Sequence, residues 1–101
     1  MKNTEKKVVM ISGANRGIGK VVAEKLSEDG YLLSLGIRNP GNLPGSLSSI
    51  PENQLLCHAY DAKIPQNAKS WIDGTIEHFG RIDVLINNAG ILHSIGLEVD
   101  S

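Results

Sequence analysis

The sequence predicts a three-layer α/β fold in which helices cover both faces of a parallel sheet. Short apolar runs of strand length alternate along the chain with two stretches whose apolar residues recur at helical spacing. Glycines stand where the first strand turns into a helix and where both helices end. Strands that alternate with helices form parallel sheets with right-handed crossovers. We therefore expect a partial parallel sheet with the strands in the order 3-2-1-4, as in doubly wound folds.

The first half of the chain contains two predicted strands and one helix. Residues 7–12 form the first strand, because their continuously apolar centre is typical of strands buried on both faces. The helix covers residues 17–29 and stops at Gly30, and the second strand covers residues 32–36. The apolar residues expected on the buried face of this helix are Ile18, Val21, Val22 and Leu26.

The second half begins with turn-forming residues. Proline, glycine and asparagine dominate residues 38–45, so we expect at most a turn or two of helix within residues 46–50. The third and fourth strands cover residues 54–60 and 82–87. The helix between them begins near Pro65, where Ile64 supplies no capping side chain, and ends at Gly80. Its expected buried face consists of Ala68, Trp71, Ile72, Thr75, Ile76 and Phe79.

The first strand leads into the glycine-rich turn Gly13-Ala14-Asn15-Arg16-Gly17-Ile18-Gly19. Gly13 allows a tight exit from the strand, Gly17 leaves room for a pyrophosphate, and Gly19 lets the helix pack closely against the strand. The free N–H groups of the first helical turn and the helix dipole, equivalent to about half a positive charge, favour phosphate at this position. A strand, a glycine turn and a helix in this order predict a dinucleotide site.

A second group of small and polar residues, Asn87-Asn88-Ala89-Gly90, ends the predicted fourth strand. Ligands of doubly wound sheets bind outside the carboxyl ends of the strands, where this segment and the glycine turn would both lie. Ala89 and Gly90 would let a cofactor lie close to the backbone. An ordinary turn at the end of a strand has a similar composition. The segment therefore indicates a cofactor site only in combination with the glycine turn.

Length, charge and cysteine content exclude several classes of protein. A chain of 101 residues with a net charge of −1 makes one small domain and predicts neither a nucleic-acid nor a membrane partner. The apolar run after the polar N-terminus is too short for a signal sequence or a membrane span. Cys57 is the single cysteine, which fits a cytoplasmic protein. Cys57 and His58 alternate on a strand, so we expect no metal site.

The two motifs together resemble those of the short-chain dehydrogenases/reductases. The segment from Ser12 to Gly19 looks like the glycine motif of that family, and the segment from Phe79 to Gly90 looks like its second signature. The resemblance extends from about Lys7 to the last residue. It implies a Rossmann-type domain that moves hydride between a nicotinamide cofactor and a carbonyl or alcohol substrate. It also implies that the longer parent protein is a homo-oligomer, of which residues 1–101 are the incomplete N-terminal dinucleotide-binding part.

The resemblance assigns cofactor contacts to several positions of this chain, all of them binding residues. Asp61 matches the adenine contact of the family, and Ala62 matches a neighbouring backbone contact. Matches to the pyrophosphate loop are Gly13, Asn15, Arg16, Gly17, Ile18 and Gly19. Matches to the segment beside the ribose and central sheet are Asn87, Ala89 and Gly90.

The residues after the second strand indicate which nicotinamide cofactor is preferred. Members of the family that use NAD resemble one another at the end of this strand, where each has an acidic residue. That residue accepts hydrogen bonds from the ribose 2′-hydroxyl. This chain has Ile37 there, followed by Arg38. Arginine suits phosphate because of its forked donors, and both Arg16 and Arg38 are placed to reach a 2′-phosphate. We therefore expect NADP(H) to bind in preference to NAD(H).

The sequence departs from the family where catalysis would occur. The catalytic Asn, Ser and Tyr-x-x-x-Lys of the family come later than residue 101, and Tyr31 and Tyr60 are followed four positions on by Leu35 and Ile64. No catalytic residue is therefore assigned. Two interpretations of the chain remain open. It is either a part of an NADPH-dependent oxidoreductase or a stand-alone nucleotide-binding or inactive remnant. A Rossmann methyltransferase fits less well, because the segment from Asn87 to Gly90 has no role in it.

Overall fold

The computed structural model describes residues 6–14 and 17–87, and these residues form a parallel sheet with flanking helices. The strands are β1 (Val8–Ser12), β2 (Leu32–Ile37), β3 (Leu55–Ala59) and β4 (Val84–Asn87). The helices are α1 (Gly17–Glu28), α2 (Gly45–Ser48) and α3 (Pro65–Phe79), with a short 3-10 helix at Pro40–Asn42. The predicted elements are confirmed, and their bounds differ from the predicted ones by one or two residues.

The strand order is β3-β2-β1-β4, which confirms the predicted order 3-2-1-4. All three pairings are parallel, and Ser12 at the end of β1 lies opposite Gly36 of β2 and Asn87 of β4. The chain is therefore a Rossmann-type α/β unit. The carboxyl ends of all four strands meet at one edge of the sheet, which is called the carboxyl edge below.

The two faces of the sheet bury different groups of residues. On one face, α1 and α2 cover a core that includes Val9, Ile11, Leu33, Leu35 and Leu47. Cys57 packs against this core, whereas its neighbour His58 lies beside Gly74 of α3. The predicted placement of these two neighbours on opposite faces is thus correct.

The predicted buried face of α1 is wrong in two positions. Ile18 is 76% exposed and Val21 is 62% exposed, whereas Gly19 and Ala23 are buried. Val22 and Leu26 pack against the core as predicted. The small residues Gly19 and Ala23 turn toward the sheet, which rotates Ile18 and Val21 outward.

A hydrogen-bonded cluster determines which face of α3 is buried. Trp71 Nε1 donates to Ser34 Oγ at 2.9 Å, Ser34 Oγ lies 2.6 Å from Thr75 Oγ1, and Thr75 Oγ1 donates to the Trp71 carbonyl at 2.8 Å. Trp71 and Thr75 are buried, while the predicted core residues Ile72 and Ile76 are exposed. Because buried polar groups require partners, the cluster turns the face that carries Trp71 and Thr75 toward β2.

The ends of α3 behave as predicted. Ile64 stands at its N-cap position with no side-chain cap, and Gly80 ends the helix in the left-handed conformation at φ 85°. Shortly after it, Asp83 Oδ2 accepts the N–H of Val8 at 2.8 Å, and Asp83 Oδ1 accepts from Arg81 at 2.7 Å. These hydrogen bonds, that of Arg81 above all, lower the pKa of Asp83. They hold β4 beside β1 at the edge opposite the carboxyl edge.

Strand β4 is paired on one side only within residues 6–14 and 17–87, and three of its four residues are exposed. Leu85 is 59% exposed and Val84 is also exposed. An unpaired apolar strand is a template for association.

We expect the 101-residue polypeptide to associate in solution. The substitution Leu85→Lys should reduce this association strongly, because a lysine on an edge strand opposes pairing with another strand. Light scattering over a concentration series measures the effect.

The matched control for this experiment is Val21→Lys, which places the same charge on an exposed apolar position of α1. Association that falls equally in both variants would indicate a general effect of charge. A monodisperse wild-type monomer with slow amide exchange across residues 82–87 would contradict the prediction.

Candidate functional site

The predicted cofactor contacts lie at the carboxyl edge wherever the structure describes them, except Ile18 and Gly19, which are the second and third residues of α1. The glycine turn follows β1, Arg38 follows β2, Asp61 comes shortly after β3, and Asn87 ends β4. Because the strands are parallel, these segments share one edge. Asn15, Arg16, Ala89 and Gly90 lie outside the described residues.

The backbone of the glycine turn has the conformation for which glycine is needed. Gly13 has a φ of 69° and Gly17 a φ of 64°, both in the left-handed region that disfavours other residues. The Gly13 N–H donates to the Gly36 carbonyl at 2.9 Å, which joins the turn to β2. Within the described residues and apart from its chain neighbours, a Cβ built on Gly17 meets no atom within 4 Å, so these residues leave the space beside the start of α1 open. Such a helix start, with free N–H groups and open space, suits a phosphate.

A side-chain hydrogen bond joins the two sequence motifs. Ser12 Oγ donates to Asn87 Oδ1 at 2.9 Å, directly below the glycine turn. The two residues are 75 positions apart in the sequence and are register partners of β1 and β4. This bond fixes the amide of Asn87 relative to the glycine turn. Sequence reasoning missed the role of Ser12, although its place just before the first glycine was a usable signal.

Arg38 is an exposed cation at this edge, directly after β2. Its side chain has no ion pair or hydrogen bond within that part of the chain. The sequence contains no Asp or Glu between Asp29 and Glu52, so no carboxylate lies close to Arg38 along the chain. An unpaired guanidinium with forked donors is available to an anionic ligand.

Asp61 occupies a hydrogen-bonded turn between β3 and α3. Its Oδ1 accepts the N–H of Lys63 at 2.9 Å, and its own N–H donates to Asn67 Oδ1 at 2.9 Å. Ala62, the next residue, is exposed. The ring of Tyr60, just before Asp61, packs on Trp71 with 4.8 Å between ring centroids. Sequence reasoning missed Asn67, because a contact six residues away gives no periodic signal.

The other chemistry-bearing residues that the structure describes do not assemble into a metal site. No group of three or more His, Cys, Asp or Glu residues that would hold a metal ion occurs within residues 6–14 and 17–87. Burial raises the pKa of the Cys57 thiol, which keeps it protonated. In the same part of the chain, no helix is long and apolar enough to cross a membrane.

The site thus combines a glycine turn, an open helix start and a free arginine at the carboxyl edge of a doubly wound sheet. This arrangement is typical of nucleotide-binding α/β proteins, and the residues present fit a dinucleotide. The family model described as short chain dehydrogenase matches residues 7–99. The chain belongs to the short-chain dehydrogenase/reductase family. Its relatives in this family are oxidoreductases.

Individual relatives agree with this assignment. An agropine synthesis reductase of Rhizobium rhizogenes is 43% identical over 94 residues, which are 92% of this chain and 21% of the reductase. An alcohol dehydrogenase of Thermococcus sibiricus, solved with 5-hydroxy-NADP, has a TM-score of 0.71 and 33% identity over 80% of this chain and 36% of its own. A 3-ketoacyl-(acyl-carrier-protein) reductase of Brucella melitensis, solved with NADH, shares the fold at 23% identity and a TM-score of 0.71, over 78% of this chain and 32% of its own.

The matched region is a minor part of each relative. The chain spans between 21% and 40% of the length of the curated relatives compared. The solved relatives include one complex with NADH and one with an NADP derivative. The family therefore defines an NAD(P)-binding fold, and the choice between the two cofactors depends on residues of this chain.

Proposed function

We propose that this chain is the cofactor-binding part of an NADP(H)-dependent oxidoreductase that transfers hydride between the nicotinamide and a carbonyl or alcohol. The observation that carries the proposal is the open start of α1 at Gly17, beside the unpaired Arg38 on the same edge. A cytoplasmic location fits the single, half-buried cysteine.

The pyrophosphate is assigned to the glycine turn. The N–H groups of the first turn of α1 have no partner within the helix, and the helix dipole adds about half a positive charge there. Gly13 and Gly17 themselves contribute no side chain to this approach, and a Cβ built on Gly17 meets no atom of the described residues within 4 Å apart from its chain neighbours. Buried Gly19 lets α1 lie close to β1. By family resemblance, Asn15, Arg16 and Ile18 complete this loop.

The two ends of the dinucleotide are assigned to opposite sides of the glycine turn. Asp61 and Ala62, beyond β2, take the adenine, where a carboxylate accepts a hydrogen bond from the exocyclic amine. On the other side, by family resemblance, Asn87, Ala89 and Gly90 are assigned to the segment beside the ribose and the central sheet. When bound, the nicotinamide supplies or accepts the hydride. The residues of this chain orient the cofactor, and the glycines contribute no side chain where the pyrophosphate approaches.

The preference for NADP(H) is assigned to Arg38, together with Arg16. We expect Arg38→Ala to weaken NADP(H) binding by about 10- to 100-fold, because a hydrogen bond to a charged group contributes about 1.5–3 kcal/mol. Binding of NAD(H), which lacks the 2′-phosphate, should change little. Calorimetric titration of both cofactors into wild type and variant measures the difference.

The matched control is Lys25→Ala, which removes one positive charge from the last turn of α1, away from the carboxyl edge. It corrects for any general effect of charge on an anionic ligand. Equal losses for NADP(H) and NAD(H) in Arg38→Ala would show that Arg38 does not contact the 2′-phosphate.

A further inference from the structure

The turn that carries Asp61 is held by a residue outside it. Asn67, the third residue of α3, accepts the Asp61 N–H through its side-chain oxygen at 2.9 Å, and this contact is partly buried. The Ile64 N–H donates to the Asp61 carbonyl at 2.9 Å, and the Lys63 N–H donates to Asp61 Oδ1 at the same distance. Three hydrogen bonds thus hold the N–H, the carbonyl and one carboxylate oxygen of Asp61.

The position of Asn67 in the helix makes this contact unusual. A polar side chain at the third position of a helix ordinarily turns back to the N–H of the capping residue. The capping position here is Ile64, and Asn67 reaches three residues further back to Asp61. The start of α3 has no side-chain cap. The side-chain oxygen of Asn67 therefore stabilises the turn before the helix rather than the helix start itself.

The hydrogen bonds leave one group of Asp61 available. Within the described residues, Asp61 Oδ2 has no hydrogen-bond partner, and the side chain is half-buried at the carboxyl edge. A carboxylate that is held at one oxygen presents its other oxygen in a fixed direction. Because hydrogen bonds weaken steeply when misaligned, recognition of a planar base depends on this direction.

We propose that Asn67 is a positioning residue for recognition of the adenine base. By holding the Asp61 N–H, it orients the Asp61 carboxylate so that Oδ2 faces the exocyclic amine of the adenine. This inference rests on the proposed dinucleotide site and assigns to it a residue that does not touch the cofactor. Asn67 acts through Asp61 alone, so its removal affects the choice of base more than the affinity for phosphate.

The test compares NADPH with its hypoxanthine analogue, in which a carbonyl oxygen replaces the exocyclic amine. Titrations that follow the fluorescence of Trp71, the single tryptophan, give both dissociation constants. We expect wild type to prefer NADPH by about 10-fold or more, since one hydrogen bond to a charged group contributes about 10- to 100-fold. Asn67→Ala should reduce this preference to below about 3-fold. Asn67→Asp, which keeps an acceptor of the same shape, should retain it.

Amide hydrogen exchange at Asp61 provides a readout independent of binding. Exchange at this amide should accelerate in Asn67→Ala and stay slow in Asn67→Asp. Gln66→Ala, an exposed neighbour on the same helical turn, is the matched control and should change neither measurement. If Asn67→Ala does not fold, Asn67→Ser, whose shorter side chain does not reach Asp61, takes its place with the same expected result.

The outcomes separate this inference from the proposed function. Equal weakening of NADPH and the analogue in Asn67→Ala would overturn the positioning role and leave the dinucleotide site intact. Wild-type binding of both ligands with equal affinity would overturn the adenine contact of Asp61, and the inference with it. Failure of wild type to bind either ligand, with normal exchange protection at Asp61, would overturn the proposed function itself.

Discussion

Gly17→Val is expected to weaken dinucleotide binding by about 100-fold or more, equivalent to about 2.7 kcal/mol. Gly17 begins α1 with a φ of 64°, and apart from its chain neighbours no atom of the described residues lies within 4 Å of a Cβ built at this position. A branched side chain would fill the space through which a pyrophosphate approaches the helix N–H groups. Calorimetric titration of NADPH measures the loss.

The chain contains a matched control for the strain that this substitution introduces. Gly30 also has a positive φ, 93°, and open space at its Cβ, but it follows α1 at the end away from the carboxyl edge. A residue with a Cβ in the left-handed conformation costs roughly 1–2 kcal/mol at either position. Gly30→Val should therefore lose similar stability in thermal unfolding and keep its affinity for NADPH. Equal loss of binding in both variants would contradict the assigned role of Gly17.

The second large effect concerns turnover. We expect the 101-residue polypeptide by itself to show no reduction of carbonyls by NADPH above the uncatalysed rate. Hydride transfer requires a proton donor at the substrate oxygen, and a positioned acid contributes roughly 10²- to 10⁴-fold. Neither tyrosine of the sequence has a lysine four positions later. The absorbance of the reduced nicotinamide, followed with a panel of ketones, aldehydes and quinones, measures the rate.

The same Gly17→Val variant distinguishes true turnover from contamination. Reproducible turnover by wild type that disappears in this variant and persists in Gly30→Val would show that the polypeptide is a functional minimal enzyme. Binding without turnover supports a cofactor-binding part or a stand-alone nucleotide-binding protein. Joining the polypeptide to a segment that contains Tyr-x-x-x-Lys then separates these two, since only the first gains activity.

The sequence by itself determined the order of the elements, the topology of the sheet and the position of the glycine turn. These features depend on local properties, because apolar runs, turn residues and glycines determine the conformation of the segment in which they lie. The parallel arrangement then follows from the alternation of strands and helices. Gly13 illustrates this, since it adopts the left-handed conformation that fits the predicted tight exit from β1.

Only the tertiary structure decided which face each helix turns to the sheet. Helical periodicity places Ile18 and Val21 on an apolar stripe, yet both are exposed, because Gly19 and Ala23 face the sheet. On α3, the hydrogen bond from Trp71 to Ser34 selects the buried face and leaves Ile72 outside. A hydrophobic pattern in the sequence shows only where the apolar residues of a helix lie. The close approach of small residues and the pairing of buried polar groups depend also on the surface of the sheet that the helix packs against.

The contacts that shape the candidate site were likewise decided in three dimensions. Ser12 meets Asn87 because β1 and β4 are register partners, and Asn67 meets Asp61 because the chain folds back at the start of α3. Neither pair has a spacing that a local pattern would reveal. Side-chain hydrogen bonds depend on distance and angle within a few tenths of an ångström, and only the packed sheet and helices define these.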